Sequence, residues 1–297
     1  MENITVLTPT YNRGKELNKL YLSLCQQTDN RFMWVIVDDG SNDETEQIVQ
    51  EWIDVSKIQI KYIKKDNGGK HTALNLGVSE ITSEWTFIVD SDDYLTENAI
   101  CLIHNKILKI YDDNICGIAF LRKNSQGKIL TNKLVPHDGL VESFTECRWG
   151  RDIKGDMAEV WKTSCLREYP FPVFDNEKFL SEEVVWIPMA QKYKMIFYNE
   201  AIYICDYLEG GLTHNRRDSN KKSPKGCMYR GQVSLDTRLP FKYIIKTIKY
   251  KTRAMLYYLV YGRFAGYSLI ELLKESKHKF LFFLCCPVGI LLFYKWK

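Results

Sequence analysis

The sequence predicts an α/β fold, a mostly parallel sheet flanked by helices, followed by a helical C-terminal region. Three apolar runs, at residues 4–7, 33–37 and 85–89, end in the polar loops Thr8-Pro9-Thr10-Tyr11-Asn12-Arg13, Asp38-Asp39-Gly40-Ser41 and Asp90-Ser91-Asp92-Asp93. A helical pattern follows each loop. Alternating strand and helix is the order of a parallel sheet, whose ligand crevice lies at the carboxyl ends of its strands. The third observation is the stretch 240–297, where basic and apolar residues recur at helical spacing.

In chain order, strands are predicted at 4–8, 33–37, 58–63, 85–89 and 115–121, and helices at 15–26, 43–55, 71–79 and 97–111. In the first helix Leu17, Leu20, Tyr21 and Leu24 form one apolar face. Asn124-Ser125-Gln126-Gly127-Lys128 reads as a turn, and 131–155 has no clear period. A strand is expected at 156–161, then a short helix from Thr163 and a loop punctuated by Pro170 and Pro172. Ser181 reads as the N-cap of a helix whose first turn holds Glu182 and Glu183, where the helix dipole favours acids. Strands at 195–198 and 201–207 precede the pair Gly210-Gly211, which opens a polar loop running through Arg217.

The 297 residues suffice for one sizeable core with an appendage, or for two small domains. Met1 leads into a strand without the basic and apolar stretches of a signal peptide, so a cytosolic N-terminus is expected. Nine cysteines, with Cys285 and Cys286 adjacent, form no C-x-x-C framework, which favours reduced structural thiols. Charge is unevenly spread. Residues 240–297 hold eleven Lys or Arg against Glu271 and Glu275, a net +9, leaving −5 for the remainder of a chain whose total is +4. The apolar residues woven through this basic tail favour an anionic membrane surface over nucleic acid as its partner.

The cluster Asp90, Asp92 and Asp93 places three carboxylates at one strand end, an arrangement that something cationic must offset. Carboxylate oxygens suit hard divalent ions such as Mn²⁺ or Mg²⁺, which leave coordination positions open for substrate phosphates. With Val6–Arg13, Trp34–Ser41, Asn67-Gly68-Gly69-Lys70 and Ala73-Leu74-Asn75-Leu76-Gly77 in the same order, the chain resembles the family 2 glycosyltransferases. These are inverting enzymes with the Rossmann-like GT-A fold, and the first two-fifths of the chain carry the resemblance most closely.

The resemblance implies a nucleotide-sugar half at 1–123, an acceptor-binding and catalytic half at 124–239, and a helical region at 240–297. It implies donor contacts from Thr8, Pro9, Tyr11, Arg13, Asp39, Asn67, Lys70, Asp90, Ser91, Arg216 and Arg217, with Asp39 on the base and Arg13 on the phosphates. Asp90, Asp92 and His214 would meet the ion. Glu182-Glu183-Val184-Val185-Trp186 resembles the family's E-D-x-x-W segment, which makes Glu183 the general base and Glu182 its acceptor-side neighbour. The expected donor is a UDP-sugar, and the acceptor a glycan or lipid-linked saccharide in cell-surface polysaccharide synthesis.

Other nucleotide folds fail on their defining residues. No G-x-G-x-x-G follows the first strand, and in a phosphate-loop alignment of Gly69-Lys70 the first glycine is replaced by Lys64 and the Ser or Thr by His71. A nonenzymatic nucleotide-sugar or polysaccharide binding protein would keep the same donor loops. The tail is expected to hold the protein on the inner face of the cell membrane without crossing it. Lys242, Lys246, Lys249 and Arg253 recur beside Ile244, Ile245, Ile248 and Met255, whereas the apolar run 280–294 is short and interrupted by Pro287 and Gly289. The competing expectation buries the tail against the enzyme or against a second subunit of a homo-oligomer.

Overall fold

The computed structural model describes residues 4–206 and 216–297. Its strands are β1 (Ile4–Thr10), β2 (Phe32–Asp38), β3 (Ile60–Lys64), β4 (Trp85–Ile88), β5 (Tyr94–Leu95), β6 (Ile115–Lys123), β7 (Leu140–Glu142), β8 (Met157–Lys162) and β9 (Lys194–Ile204). They form one sheet in the order β3-β2-β1-β4-β8-β6-β9-β5, with β7 on β9. The first four in that order run parallel. Beyond them the sheet is mixed: β8 is antiparallel to both β4 and β6, and β9 is parallel to β6. The chain leaves β1 toward β2 on one side and β4 lies on the other, so the strand order reverses at β1 and opens a crevice at its carboxyl end.

Helices α1 (Gly14–Cys25), α2 (Thr45–Val55), α3 (Lys70–Glu80), α4 (Ala99–Ile107) and α5 (Thr163–Glu168) accompany this sheet. The predicted face of α1 is buried through Leu17, Leu20, Tyr21 and Leu24. Tyr21 stacks on Trp52 of α2 at 4.3 Å, and Trp52 lies 5.9 Å from Trp34 of β2. Such aromatic stacks add directional contact to the area they bury. On α3, a Cβ at Gly77 would come within 2.3 Å of Leu7 Cδ1 and 3.1 Å of Val37 Cγ2, so glycine permits the close approach of this helix to β1 and β2. Gly77→Ala is expected to destabilise the fold by about 1–3 kcal/mol through overpacking, as read from a denaturant titration. An unchanged midpoint would show that the helix can shift at no cost.

Several sequence expectations shift. β1 extends through Thr10, because Pro9 and Thr10 pair with Val37 and Asp38, so the polar loop begins at Tyr11. The two strands expected at 195–198 and 201–207 are one strand, β9; its ladder to β6 changes register between Ala119 and Leu121, and Asn199 and Glu200 occupy that irregular step. The unperiodic stretch 131–155 contains β7 and a single π turn, Glu146–Gly150.

Two compact units emerge. One comprises Met1–Ser143, Ile153–Pro170 and Tyr193–Tyr207, and the other Phe144–Asp152, Phe171–Lys192 and Leu208–Lys297. The second is helical: α6 (Glu183–Met189), α7 (Arg216–Lys222), α8 (Pro224–Leu235), α9 (Ile244–Phe264), α10 (Leu269–Glu275) and α11 (Lys279–Trp296). Its core includes Met228, Leu235, Met255, Tyr258, Leu259, Leu272, Phe282 and Cys285. α11 is one continuous helix, with Pro287 inside it and Gly289 buried, so neither residue ends it. Pro287 stands on the exposed side, where solvent can reach the carbonyl whose helical bond a proline removes.

Candidate active site

The loops at the carboxyl ends of β1 and β2 are stitched together. Asn12, at φ +50°, takes the left-handed conformation that asparagine tolerates. Its N–H donates to Ser41 Oγ at 2.8 Å, and its Oδ1 accepts from the Asn42 N–H at 2.8 Å. Thr8 is fully buried and its hydroxyl accepts from the Trp34 indole N–H at 2.9 Å. Pro9 is likewise inside the strand, and Tyr11 is exposed. Asp38 shapes the second loop by accepting from the Ser41 N–H at 2.8 Å.

Asp39 is buried and joins this loop to the one before α3. Its carboxylate accepts from the Gly68 N–H at 2.9 Å, the Gly69 N–H at 2.7 Å and Lys65 Nζ at 2.7 Å. The half-buried Asn67 precedes these two glycines. Asp39 thereby spends three acceptor positions on fixing the loop that presents Asn67 and Lys70.

At the end of β4 the acidic cluster meets cations from three other elements. Arg13 forms an ion pair with Asp92, and Lys70 Nζ lies 2.6 Å from Asp90 Oδ1. Arg122 of β6 stands 3.8 Å from Asp90 Oδ2 and 3.7 Å from Asp93 Oδ2, donates through Nε to the Met157 carbonyl at 2.7 Å, and lies 4.0 Å over the Tyr203 ring. The Tyr203 hydroxyl donates to Asp93 Oδ2 at 2.7 Å and accepts from the Asp90 N–H at 3.0 Å. Ser91 is buried within the same turn. Arg122 and Tyr203 are absent from the sequence-level site. The available signal was weak: each is a polar-tipped side chain near the end of a mostly apolar strand.

The environment splits the carboxylates. Desolvation opposes ionisation of Asp90, but Lys70 and Arg122 outweigh it and hold its pKa below the ordinary value. Burial, reinforced by the charge of Asp90, pushes Asp93 up to about 7. The unfolded value is near 3.9, so between about pH 4 and 7 the native state keeps a proton that the unfolded chain has released. Stability therefore falls as pH rises through that window and levels off above it. Asp93→Asn should flatten this slope in chelator-treated protein denatured by urea at pH 5 and pH 8; an unchanged slope would assign it to other groups.

The helical unit carries the acid pair. α6 begins at Glu183, with Glu182 at the cap position and no side-chain cap bond, so Ser181 is not the N-cap. Tight backbone bonds replace it: the Val184 N–H donates to the Ser181 carbonyl and the Val185 N–H to that of Glu182. Glu183 Oε2 accepts from Arg230 of α8, whose guanidinium lies 5.5 Å over the Tyr257 ring. Glu183 thus points at a specific cation rather than capping its own helix. His214 lies outside the described residues, as does the side chain of Arg216. Arg217 belongs to α7 rather than to a loop, and its guanidinium is 5.0 Å over Trp296.

For a divalent cation the fit is that of a two-carboxylate site. Asp90 and Asp92 offer oxygen ligands at 29% side-chain exposure each, and among the described residues no group of three His, Cys, Asp or Glu converges on one point. Mg²⁺-type ions commonly take one or two carboxylates and complete their shell with phosphate oxygens and water.

Comparison with known proteins identifies the family and the fold. The model of Glycosyl transferase family 2 matches residues 5–161, more than half of the chain, and the chain belongs to that family. It is 30% identical over 224 residues to glycosyltransferase GlyA of Streptococcus pneumoniae, covering 71% of this chain and 32% of GlyA. It is 31% identical over 102 residues to the poly(ribitol-phosphate) β-N-acetylglucosaminyltransferase TarS of Staphylococcus aureus, covering 34% of this chain and 18% of TarS. This chain therefore spans a third or less of these two relatives. The structure of TarS residues 1–349 with UDP-GlcNAc superposes with a TM-score of 0.65 at 18% identity, over 97% of this chain and 80% of that one. Mannosyltransferase PcManGT of Pyrobaculum calidifontis, solved with GDP-Man and Mn²⁺, gives 0.61 at 16% identity, over 99% and 81%. These likenesses establish the GT-A fold.

Proposed function

We propose that this protein is an inverting glycosyltransferase that moves a sugar from a nucleoside-diphosphate donor, a UDP-sugar, to a hydroxyl of a cell-surface glycan or lipid-linked saccharide. The observation that carries the reading is the convergence of Asp90, Asp92 and Asp93 with Arg13, Lys70 and Arg122 at the strand-order switch. Binding and releasing a diphosphate requires preorganised charge of both signs. Thr10 Oγ1 and His71 Nδ1 are buried without a hydrogen-bond partner among the described residues, which suits a site completed by a ligand or water.

In this reading Tyr11 flanks the nucleoside, while Asp39 and Asn67 hold the loop against its base. Arg13 and Lys70, already opposite Asp92 and Asp90, turn toward the donor phosphates when these compete for them. Asp90 and Asp92 would hold Mn²⁺ or Mg²⁺, whose charge neutralises the leaving diphosphate when the ion is bound. Tyr203 fixes Asp90 and Asp93 at the same time. Glu183 takes the acceptor proton as the hydroxyl oxygen bonds to the anomeric carbon and the sugar–phosphate bond breaks. One carboxylate suffices, because direct displacement forms no glycosyl-enzyme intermediate. Glu182, His214, Arg216 and Arg217 complete the set on the basis of the family pattern.

The UDP assignment rests on TarS and the family pattern; the GDP-Man complex shows that the same fold accepts another base. A panel of nucleotide-sugars assayed for released nucleoside diphosphate, with and without candidate acceptors, tests the proposal. Acceptor-stimulated release from one donor is expected. Saturable binding with no release from any donor would leave a binding protein instead.

A further inference from the structure

We propose that α11, together with the start of α9, is a lipid-docking surface that lies in the plane of an anionic membrane. Along α11 the exposed positions are Lys279, Phe280, Phe283, Leu284, Pro287, Val288, Leu291, Tyr294 and Lys295, recurring at three- and four-residue spacing along one continuous face of a helix. The face is apolar except at its ends. Phe280 is 85% exposed, Leu291 70% and Tyr294 68%, while Lys279, Lys295 and Lys297 flank it and no acid occurs in the helix. A second stripe, Phe241 in the 3-10 turn before α9 with Ile245 and Ile248 in its first turns, is 84%, 80% and 60% exposed, and the exposed Lys242, Lys249 and Arg253 accompany it. Met255 and Lys246 do not belong to this surface: Met255 is fully buried and Lys246 lies 3.6 Å from Asp152.

Two observations select the occupant. The region 240–297 carries a net +9, so the same face of a second copy would meet like charge, whereas anionic headgroups are complementary at about 1 kcal/mol per basic residue near the surface. α11 is also held lengthwise. Its 18 residues have a mean hydropathy of 1.6, and at about 1.5 Å per residue they approach the thickness of a hydrocarbon core. Yet Phe282 and Cys285 are buried, Phe293 packs 5.0 Å from Phe264, and Trp296 lies 6.3 Å from Tyr261 of α9. Spanning would break those contacts, whereas lying in the interface keeps them and covers only the exposed stripe.

The protein of residues 1–297 should pellet with vesicles of equimolar phosphatidylcholine and phosphatidylglycerol at low salt, and much less with phosphatidylcholine alone. The double substitution Leu284→Asp with Leu291→Asp changes only exposed positions and should lower the partition coefficient about tenfold or more, with circular dichroism and melting preserved. Lys295→Glu with Lys297→Glu should reduce binding to the anionic vesicles alone. Failure of the wild type to pellet would overturn the proposal, as would undiminished binding by the folded aspartate variant. A dimer dissociated by the same aspartates, without vesicle binding, would assign the face to a second copy and also overturn it. No step of this test uses sugar transfer, so it stands or falls separately from the proposed activity.

Discussion

Glu183→Gln should lower glycosyl transfer on the order of 10²-fold or more while leaving nucleoside-diphosphate affinity nearly unchanged. The amide keeps the size of the side chain and can still accept from Arg230 through its oxygen, so α6 and its packing should survive. What disappears is the capacity to take a proton. A loss confined to turnover, with donor binding by calorimetry intact, is the signature of an acceptor-side base. Glu182→Gln is the control one residue away, at the cap position of the same helix. If Glu182→Gln is crippled and Glu183→Gln is active, the base is the neighbour; if both are active, neither acid is the base.

Asp92→Asn should produce a crossed result. With Mn²⁺ or Mg²⁺ present, UDP affinity should fall about tenfold to a hundredfold, the scale of one charged contact of 1.5–3 kcal/mol. In chelator the variant should bind UDP at least as well as the wild type, because removing the Asp92 charge releases Arg13 from its ion pair. Calorimetry of both proteins in Mn²⁺, in Mg²⁺ and in chelator measures all the terms. Equal wild-type affinity in the three conditions would refute the ion-binding role of Asp90 and Asp92.

The polar loops at the strand ends were legible in the sequence because each is contiguous with the strand that presents it. Val37-Asp38-Asp39-Gly40 and Val89-Asp90-Ser91-Asp92 state both strand end and chemistry within a few residues. Arg122 and Tyr203 were hidden because their roles depend on distant pairing: the Tyr203 bond to Asp93 crosses 110 residues and requires β6 and β9 to be adjacent. Nothing local distinguishes that tyrosine from other aromatic strand residues. Ser181 misled for the opposite reason. Its residue type favours a cap, but backbone carbonyls had already satisfied the first-turn donors. In α11 the proline and glycine suggested an end that tertiary packing overrode, since Phe282, Cys285 and Gly289 share one buried face.

Burying Asp93 beside Asp90 has a consequence for protein engineering. Ionising Asp93 weakens the native state, so a screen for heat tolerance at neutral pH would enrich neutral replacements at this position. Such winners would be sturdier proteins with a disturbed acidic turn, because Asp93 and Asp90 share the Tyr203 hydroxyl. Selection for robustness alone would then reshape the acidic turn, and each round would need an activity counter-screen to show whether function survives.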